Sequence, residues 1–262
     1  MLEARDISVT LGRKQVLHGA GLSAQPGAMT VIVGPNGSGK TTLLRAITGD
    51  LACRGTVTLN RQDMRALPPH ALAERRAVLP QASVLAFPFT VHEVVRLGLT
   101  GRIALRPDAA QLPGRALERV GLEGYGARFF QELSGGEQAR AQLARVLLQV
   151  WEPVQDGIPR WLFLDEPVAA LDIGHQLQVM HLARRFARAG GGVVAVMHDL
   201  NLTAMFADRV VLMLDGRVLA QGAVREVLTD QNLSRAYGCR LRVSSPPAQG
   251  ATYILPQAAE MA

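Results

Sequence analysis

The sequence predicts an α/β fold in which buried strands alternate with helices. Three short segments, "MTVIV" (29–33), "WLFL" (161–164) and "GVVAVM" (192–197), have the length and apolar composition of core strands. Helix-forming runs lie between them, among them "KTTLLRAIT" (40–48) and "ARAQLARVLLQV" (139–150). With 262 residues, of which 48% are hydrophobic, the chain is long enough to bury a sizeable core.

Two further segments predict antiparallel structure. "TVTLN" (56–60) alternates polar and apolar residues, as a half-buried strand does. Near the end of the chain, "VVLMLDGRVLAQG" (210–222) places two apolar runs on either side of Asp215 and Gly216. An Asp-Gly pair in that position favours a tight hairpin turn.

Composition and charge argue against several classes of protein. No apolar run approaches the roughly 18 residues that cross a bilayer, and the first residues, "MLEARDISV" (1–9), lack an apolar signal-peptide region. Cys53 and Cys239 stand far apart, outside any metal-binding motif. The net charge of +6 comes from scattered arginines without interleaved aromatic residues, so we expect no nucleic-acid partner.

A phosphate-binding loop connects the first core strand to the helix that follows. "GPNGSGKT" (34–41) fits the pattern G-x-x-x-x-G-K-[ST], in which glycines allow backbone N–H groups to surround a phosphate. Lys40, one of only two lysines, supplies a compact positive charge, and the hydroxyl of Thr41 suits Mg²⁺. The pattern predicts binding of a nucleoside triphosphate, here ATP. The residues expected to contact it are Gly34, Pro35, Asn36, Gly37, Ser38, Gly39, Lys40, Thr41 and Thr42.

Two carboxylates and a histidine follow the other two core strands. Asp165 and Glu166 come directly after "WLFL", and His198 comes directly after "GVVAVM". Near a bound triphosphate, Asp165 suits Mg²⁺ and Glu166 suits activation of the attacking water, with His198 at the γ-phosphate. The sequence therefore predicts nucleotide hydrolysis, with an ordinary polar turn at 165–167 and a structural histidine as the plainer alternatives.

A second helix start, in "LSGGEQ" (133–138), also predicts an anion site. Ser134 and Glu137 have the spacing of a capping box, and Gly135 and Gly136 leave backbone N–H groups uncovered by side chains. The positive end of the helix dipole adds to the attraction for an anion. Since the loop at 34–41 already serves a phosphate, this site calls for a different explanation.

These motifs, in this order, resemble those of the ATPase subunit of ATP-binding cassette (ABC) transporters. The resemblance covers residues 2–241 and implies an ABC ATPase domain over 1–241. Its expected parts are a RecA-like P-loop NTPase lobe with an antiparallel β subdomain (1–83 and 152–241) and an inserted α-helical subdomain (84–151). Residues 242–262 would form a short C-terminal extension.

The resemblance also implies roles for individual residues. In the family two subunits meet head to tail, so Ser134, Gly135, Gly136 and Glu137 would act on the ATP of the partner subunit in a homodimer. Asp172, in "AALD" (169–172), would lie at the dimer interface. Gln81 would join Glu166 and His198 as catalytic residues, and Thr41, Gln81 and Asp165 would hold Mg²⁺. Leu11 stands where the family usually stacks adenine on an aromatic ring, so weaker adenine selectivity is expected.

Within the family, "RRAVLPQASVLAFPFTVHEVVRLG" (75–98) is most similar to the ATPase of haem (hemin) importers, a branch of the iron-siderophore and cobalamin import group. This implies a bacterial importer with two separate transmembrane permease subunits, a periplasmic haem-binding protein as an indirect partner, and a place on the cytoplasmic face of the inner membrane. Phe87 and Phe89 are either exposed anchors for the permease or core residues. Three alternatives remain: import of a ferric siderophore or cobalamin, a soluble cassette ATPase without a membrane partner, and a nucleic-acid-bound ATPase suggested by the basic charge, against which the absence of basic runs argues.

Overall fold

The computed structural model describes residues 1–81, 87–246 and 252–259. The expected boundary between the first lobe and the helical subdomain, at 83/84, lies outside these ranges. No helix in the described part is long and apolar enough to cross a membrane. The strands are β1 (Leu2–Leu11), β2 (Lys14–Ala24), β3 (Met29–Val33), β4 (Arg54–Leu59), β5 (Gln62–Asp63), β6 (Arg76–Leu79), β7 (Val154–Gln155), β8 (Ile158–Pro159), β9 (Trp161–Asp165), β10 (Gly192–Val196), β11 (Arg209–Leu214) and β12 (Arg217–Ala223).

Helices connect and cover these strands. They are α1 (Lys40–Thr48), α2 (Pro69–Arg75), α3 (Val91–Arg96), α4 (Leu112–Arg119), α5 (Gly135–Gln149), α6 (Ile173–Arg188), α7 (Leu200–Phe206), α8 (Val224–Val227) and α9 (Asp230–Tyr237). Short 3-10 turns accompany them, the last at Pro256–Ala258, where Gln257 Nε2 donates to Asn201 O at 3.4 Å. In its described part, the tail therefore contacts the start of α7.

The central sheet has six strands in the order β12-β11-β3-β10-β9-β6. Its neighbours pair in parallel, except that β11 and β12 are antiparallel. β3, β9 and β10 are buried at every position, which explains why their sequences are continuous apolar runs. Because they run in parallel, their C-terminal ends lie at one edge of the sheet and bring the phosphate loop, Asp165 and His198 to that edge.

A second, antiparallel sheet has the order β2-β1-β4-β5. Burial alternates along β4, as "TVTLN" predicts, and the inward-facing Val57 and Leu59 join a core cluster with α1. The hairpin expected around Asp215 and Gly216 is confirmed: β11 and β12 pair on either side of that dipeptide, and both residues have positive φ, 47° and 72°.

In the described part of the chain between β6 and β9, the helices α3, α4 and α5 precede the short hairpin of β7 and β8. Val91 and Val94 of α3 and Ala116 of α4 lie in one core cluster with the apolar face of α5. The two phenylalanines differ: Phe87 is 68% exposed, whereas Phe89 packs against that cluster. Of the two interpretations, an exposed anchor therefore suits Phe87, and a packing role suits Phe89.

Candidate nucleotide-binding and hydrolysis site

The loop between β3 and α1 has a backbone that requires glycine. Gly34 and Gly39 have φ values of 150° and 96°, which side-chain-bearing residues rarely adopt. A Cβ on Gly34 would lie 2.3 Å from the carbonyl oxygen of Met213 on β11, and one on Gly39 would lie 2.8 Å from the Leu17 side chain. Gly39 also precedes α1 as its N-cap and has no side chain to accept from the helix. The first N–H groups of α1 therefore stay available to a phosphate.

Lys40 lies inside this loop and is only 5% exposed. Its ammonium donates to the carbonyl oxygens of Gly34 and Pro35, both at 2.9 Å. Burial lowers the pKa of Lys40, while the negative charges of Glu166 and Asp165 act in the opposite direction. The ammonium is thus held by weak, neutral acceptors that phosphate oxygens can replace.

Thr41 and Asp165 bring two oxygen ligands together beside the loop. The Thr41 hydroxyl donates to Asp165 Oδ1 at 3.1 Å. Burial raises the pKa of Asp165, its neighbour Glu166 adds to the rise, and the hydrogen bond from Thr41 opposes it. A buried carboxylate next to a hydroxyl is the kind of oxygen pair that Mg²⁺ prefers, so the residues fit this ion.

Glu166 is held on both sides of its carboxylate. Gln81 Nε2 donates to Oε2 at 3.0 Å, and His198 Nε2 lies 2.7 Å from Oε1. The backbone of Glu166 is left-handed, with φ 51°, and its N–H donates to Val196 O at 3.1 Å. Such a conformation costs free energy in a non-glycine residue, and it is typical of functional positions.

The start of α5 forms the capping box that the sequence predicts. The Ser134 N–H and hydroxyl donate to Glu137 Oε2 at 2.8 and 2.7 Å, and the Glu137 N–H donates back to the Ser134 oxygen at 3.3 Å. Gly135 is exposed, and a Cβ there would meet nothing within 4 Å. This helix start therefore has an open face.

Two clefts adjoin Glu166. The first is lined by the phosphate loop, Glu166 and His198, and the second by Gln81, Asp165, Glu166 and the start of α5 at Gly135. The loop residues of the first cleft are Asn36, Gly37, Gly39, Lys40, Thr41 and Thr42. Ser38 is buried beneath it, and its N–H donates to Pro35 O at 3.2 Å.

Two predicted site residues, Asp172 and Leu11, lie outside both clefts. Asp172 caps α6: it accepts from the His175 N–H at 2.9 Å, which contributes most to lowering the pKa of Asp172. Its side chain is 71% exposed. Leu11 is 46% exposed at the end of β1 and does not line the first cleft, whereas Val16 of β2 does. Sequence reasoning missed Val16 because it is an ordinary strand residue without a motif.

Comparison with known proteins decides the family. Residues 17–169, more than half of the chain, match the family described as "ABC transporter". The chain belongs to the ABC transporter family. The relatives of this ABC ATPase include "Hemin import ATP-binding protein HmuV" of Jannaschia sp. (strain CCS1), 63% identical over 99% of this chain and 95% of the relative. HmuV of Rhizobium meliloti (strain 1021) is 57% identical over the whole length of both chains.

Solved ATP-binding cassettes have the same fold as this ABC ATPase. One cassette of an ABC transporter has a TM-score of 0.77 at 24% identity and covers 90% of this chain and 98% of its own. A dimeric cassette in a post-hydrolysis state, bound to ADP and Pi, has a TM-score of 0.74 at 25% identity over 86% of this chain and 99% of its own. The predicted α/β P-loop NTPase fold is therefore confirmed.

Proposed function

We propose that this ABC ATPase hydrolyses ATP as one of two identical subunits and thereby drives hemin import through separate membrane-spanning subunits. The arrangement around Glu166 carries the proposal: a carboxylate next to the phosphate loop accepts from Gln81 and lies at hydrogen-bond distance from His198. This holds one oxygen of the carboxylate toward each partner and positions the group to polarise an attacking water.

The residues of this chain divide the work of hydrolysis. Lys40 exchanges its two backbone carbonyl partners for phosphate oxygens and offsets their charge. His198 lines the first cleft and orients Glu166 in the empty site, and its ring N–H would turn to the γ-phosphate when ATP binds. Thr41 and Asp165, with Gln81, would hold Mg²⁺, which supplies charge neutralisation on the β- and γ-phosphates when bound.

In the proposed dimer, the helix start at α5 would act on the nucleotide of the partner subunit. Its open face at Gly135 and the capping serine would meet the γ-phosphate of the ATP bound to the partner subunit, and a two-fold arrangement makes two such sites. The exposed Asp172 is placed at this interface in the proposal. A solved dimeric cassette with 25% identity supports the two-subunit assembly.

Hemin is proposed as the cargo on the strength of the relatives, several of which are hemin import ATP-binding proteins that match nearly the full chain. We place the protein on the cytoplasmic face of the inner membrane, where the 68% exposed Phe87 offers an anchor to a permease subunit. A periplasmic haem-binding protein would act only indirectly, through that permease.

Replacement of Glu166 by Gln tests the hydrolysis step. The amide keeps the size of the side chain but cannot act as a base, so we expect ATP to bind with near-normal affinity while turnover falls on the order of 1,000-fold. Glu118→Gln, the same change at an exposed residue of α4, is the control. Near-normal turnover in Glu166→Gln would refute the assignment.

Gentle extraction of membranes that contain a tagged copy of the chain tests the transport part. We expect a multi-spanning permease to co-purify and cells with Glu166→Gln to lose growth on hemin as the iron source. Co-purification with soluble proteins only would favour the non-transport cassette. Normal growth on hemin, with loss of growth on a ferric siderophore or loss of cobalamin uptake, would reassign the cargo.

A further inference from the structure

The side chain of Gln176, in the first turn of α6, reaches back into the loop that precedes the helix. Its Nε2 donates to Leu171 O at 3.0 Å and to Val168 O at 3.3 Å. Both hydrogens of one amide group are therefore used on two backbone carbonyls, five and eight residues upstream. We call this pair of bonds a glutamine clamp. It stands four residues after the capping Asp172.

The same clamp occurs at the start of α5. Gln138 Nε2 donates to Leu133 O at 3.0 Å and to Phe130 O at 3.2 Å, again five and eight residues upstream. Gln138 likewise stands four residues after the capping residue, Ser134. Two helices with different caps thus fix their preceding loops in one way, which indicates that the path of each loop matters.

The clamped loop of α6 is the one that follows Glu166. Two consecutive turns form it: the Ala169 N–H donates to Glu166 O at 3.3 Å, and the Leu171 N–H donates to Val168 O at 3.2 Å. Glu166 itself has the strained φ of 51°. A strained residue keeps its conformation only where its surroundings hold it, and Gln176 holds the second of these turns.

The clamped loop of α6 also lies close to the start of α5. A Cβ on Gly136 would lie 3.3 Å from Ala170 O and 3.3 Å from the Leu171 side chain. The loop after Glu166 therefore packs closely on the start of α5, and a shift of either would disturb the other. Each clamp limits such a shift from its own side.

We propose that Gln176 is a positioning residue for ATP hydrolysis. It fixes the loop 167–171, and through that loop the backbone of Glu166, so that the carboxylate keeps its place beside the γ-phosphate. Gln138 fixes the approach to α5 in the same manner. The proposal rests on the proposed function, since it assigns to Gln176 an effect on the hydrolysis step that Glu166 performs.

Replacement of Gln176 by Met tests the proposal, because Met has a similar length and lacks the two N–H groups. We expect kcat to fall about tenfold, since small displacements of catalytic groups have effects of this order, while KM for ATP stays within about twofold. The same change at Gln178, two residues further along α6, is the control, and we expect wild-type kinetics. In a Glu166→Gln background, Gln176→Met should cause no further loss, because it acts through Glu166.

Replacement of Gln176 by Glu adds a readout that loss of packing would not give. An ionised carboxylate offers two acceptors to two carbonyls, whereas a protonated one offers an O–H donor. We expect the loss of kcat relative to wild type to shrink as pH falls from about 8 to about 5.5. This variant retains the shape of the side chain and serves if Gln176→Met fails to fold.

Several outcomes would overturn the proposal: kcat of Gln176→Met within twofold of wild type, a raised KM with unchanged kcat, an equal loss in Gln178→Met, or a pH-independent defect in Gln176→Glu. A wild-type protein without ATP hydrolysis would refute the proposed function instead. The two failures are therefore distinguishable.

Discussion

In the described part of the chain, the helix starts at α1 and at α5 can both receive an anion, and they differ in what surrounds them. At α1, Gly39 leaves the first N–H groups without a side-chain cap, and the ammonium of Lys40 lies in the same loop. At α5, Ser134 and Glu137 form a capping box around two glycines. Both starts offer N–H groups and a helix dipole, but only the first brings a cation.

The charges near each helix start determine whether that start can bind a phosphate by itself. The hydroxyl of Ser134, followed by its N–H, lowers the pKa of Glu137, so this side chain stays ionised at neutral pH. A phosphate that approached α5 alone would meet that negative charge. It is stabilised there only when another group supplies the positive charge, which is the role we assign to Lys40 and Mg²⁺ of the partner subunit. In the proposed dimer, the α1 start would bind the nucleotide of its own subunit, and the α5 start would contact the γ-phosphate of the nucleotide on the partner subunit.

Removal of the Lys40 ammonium from the start of α1 should have the largest effect on ATP binding and on turnover. In Lys40→Ala, phosphate oxygens lose their charged donor, so we expect ATP affinity to fall on the order of 100-fold. Turnover should fall to background. Nucleotide binding to the isolated protein, followed with a fluorescent ATP analogue, checks the first expectation, and phosphate release checks the second.

Lys14→Ala provides the control for this variant, because Lys14 is the only other lysine and is exposed on β2. It should bind and hydrolyse ATP as wild type does. ATP affinity of Lys40→Ala within about threefold of wild type would mean that the loop holds the nucleotide through its backbone alone, and the contrast between the two helix starts would lose its basis in charge.

A bulky cation at the α5 start should affect turnover without affecting binding. In Ser134→Arg, the side chain fills the open face beside Gly135, so we expect turnover to fall on the order of 100-fold, while each subunit binds ATP with an affinity within about twofold of wild type. The same two assays apply. Loss of turnover with retained ATP binding is the result expected if the α5 start acts on the nucleotide of the partner subunit and not on that of its own subunit.

Ser245→Arg is the matched control, since it adds the same side chain at an exposed serine near the end of the range 87–246. It should leave both quantities unchanged. If Ser134→Arg instead lost ATP affinity as strongly as Lys40→Ala, the α5 start would serve its own subunit's nucleotide, and the composite site would be wrong.

The comparison also shows where sequence reasoning succeeds. Motifs of consecutive residues fix both helix starts: the glycine pattern identifies the loop before α1, and the spacing of Ser134 and Glu137 identifies the capping box. The parallel sheet follows from continuous apolar strands, and with it the meeting of Thr41 and Asp165, which are 124 residues apart. These features depend on local pattern and on general rules of sheet topology.

Other features depend on the path of the backbone and leave no such pattern. Glu166 adopts φ 51° although glutamate has no preference for it, and the bond from its N–H to Val196 O forms only after two strands pair. The glutamine clamps require loops that curl back over a helix start. Val16 reaches the cleft because β2 passes beside the phosphate loop. Sequence alone offers no signal for these contacts.

The smallest expected effect is on the thermal stability of the protein without nucleotide or metal, and it involves Asp165, which lies beside the start of α1. Burial raises the pKa of Asp165 in the folded protein, while the unfolded chain keeps the ordinary value. The folded state therefore binds more protons between these two values, and stability is lost as pH rises through the folded pKa. Asn cannot ionise, and its carbonyl still accepts from Thr41. We therefore expect Asp165→Asn to raise Tm by a few degrees at pH 7 in EDTA without nucleotide, although it abolishes turnover.

The gain in Tm should shrink as pH falls toward about 4, where the wild-type carboxyl is protonated as well. Glu123→Gln, which removes an exposed carboxylate, should show no such pH-dependent gain. An unchanged or lower Tm of Asp165→Asn at pH 7 would mean that Lys40 already neutralises Asp165 in the empty site. In that case the buried Asp165 carboxylate would not destabilise the empty folded protein. Binding of Mg²⁺ would then stabilise the protein less than the burial of Asp165 implies, because the ion would not offset an unfavourable buried charge.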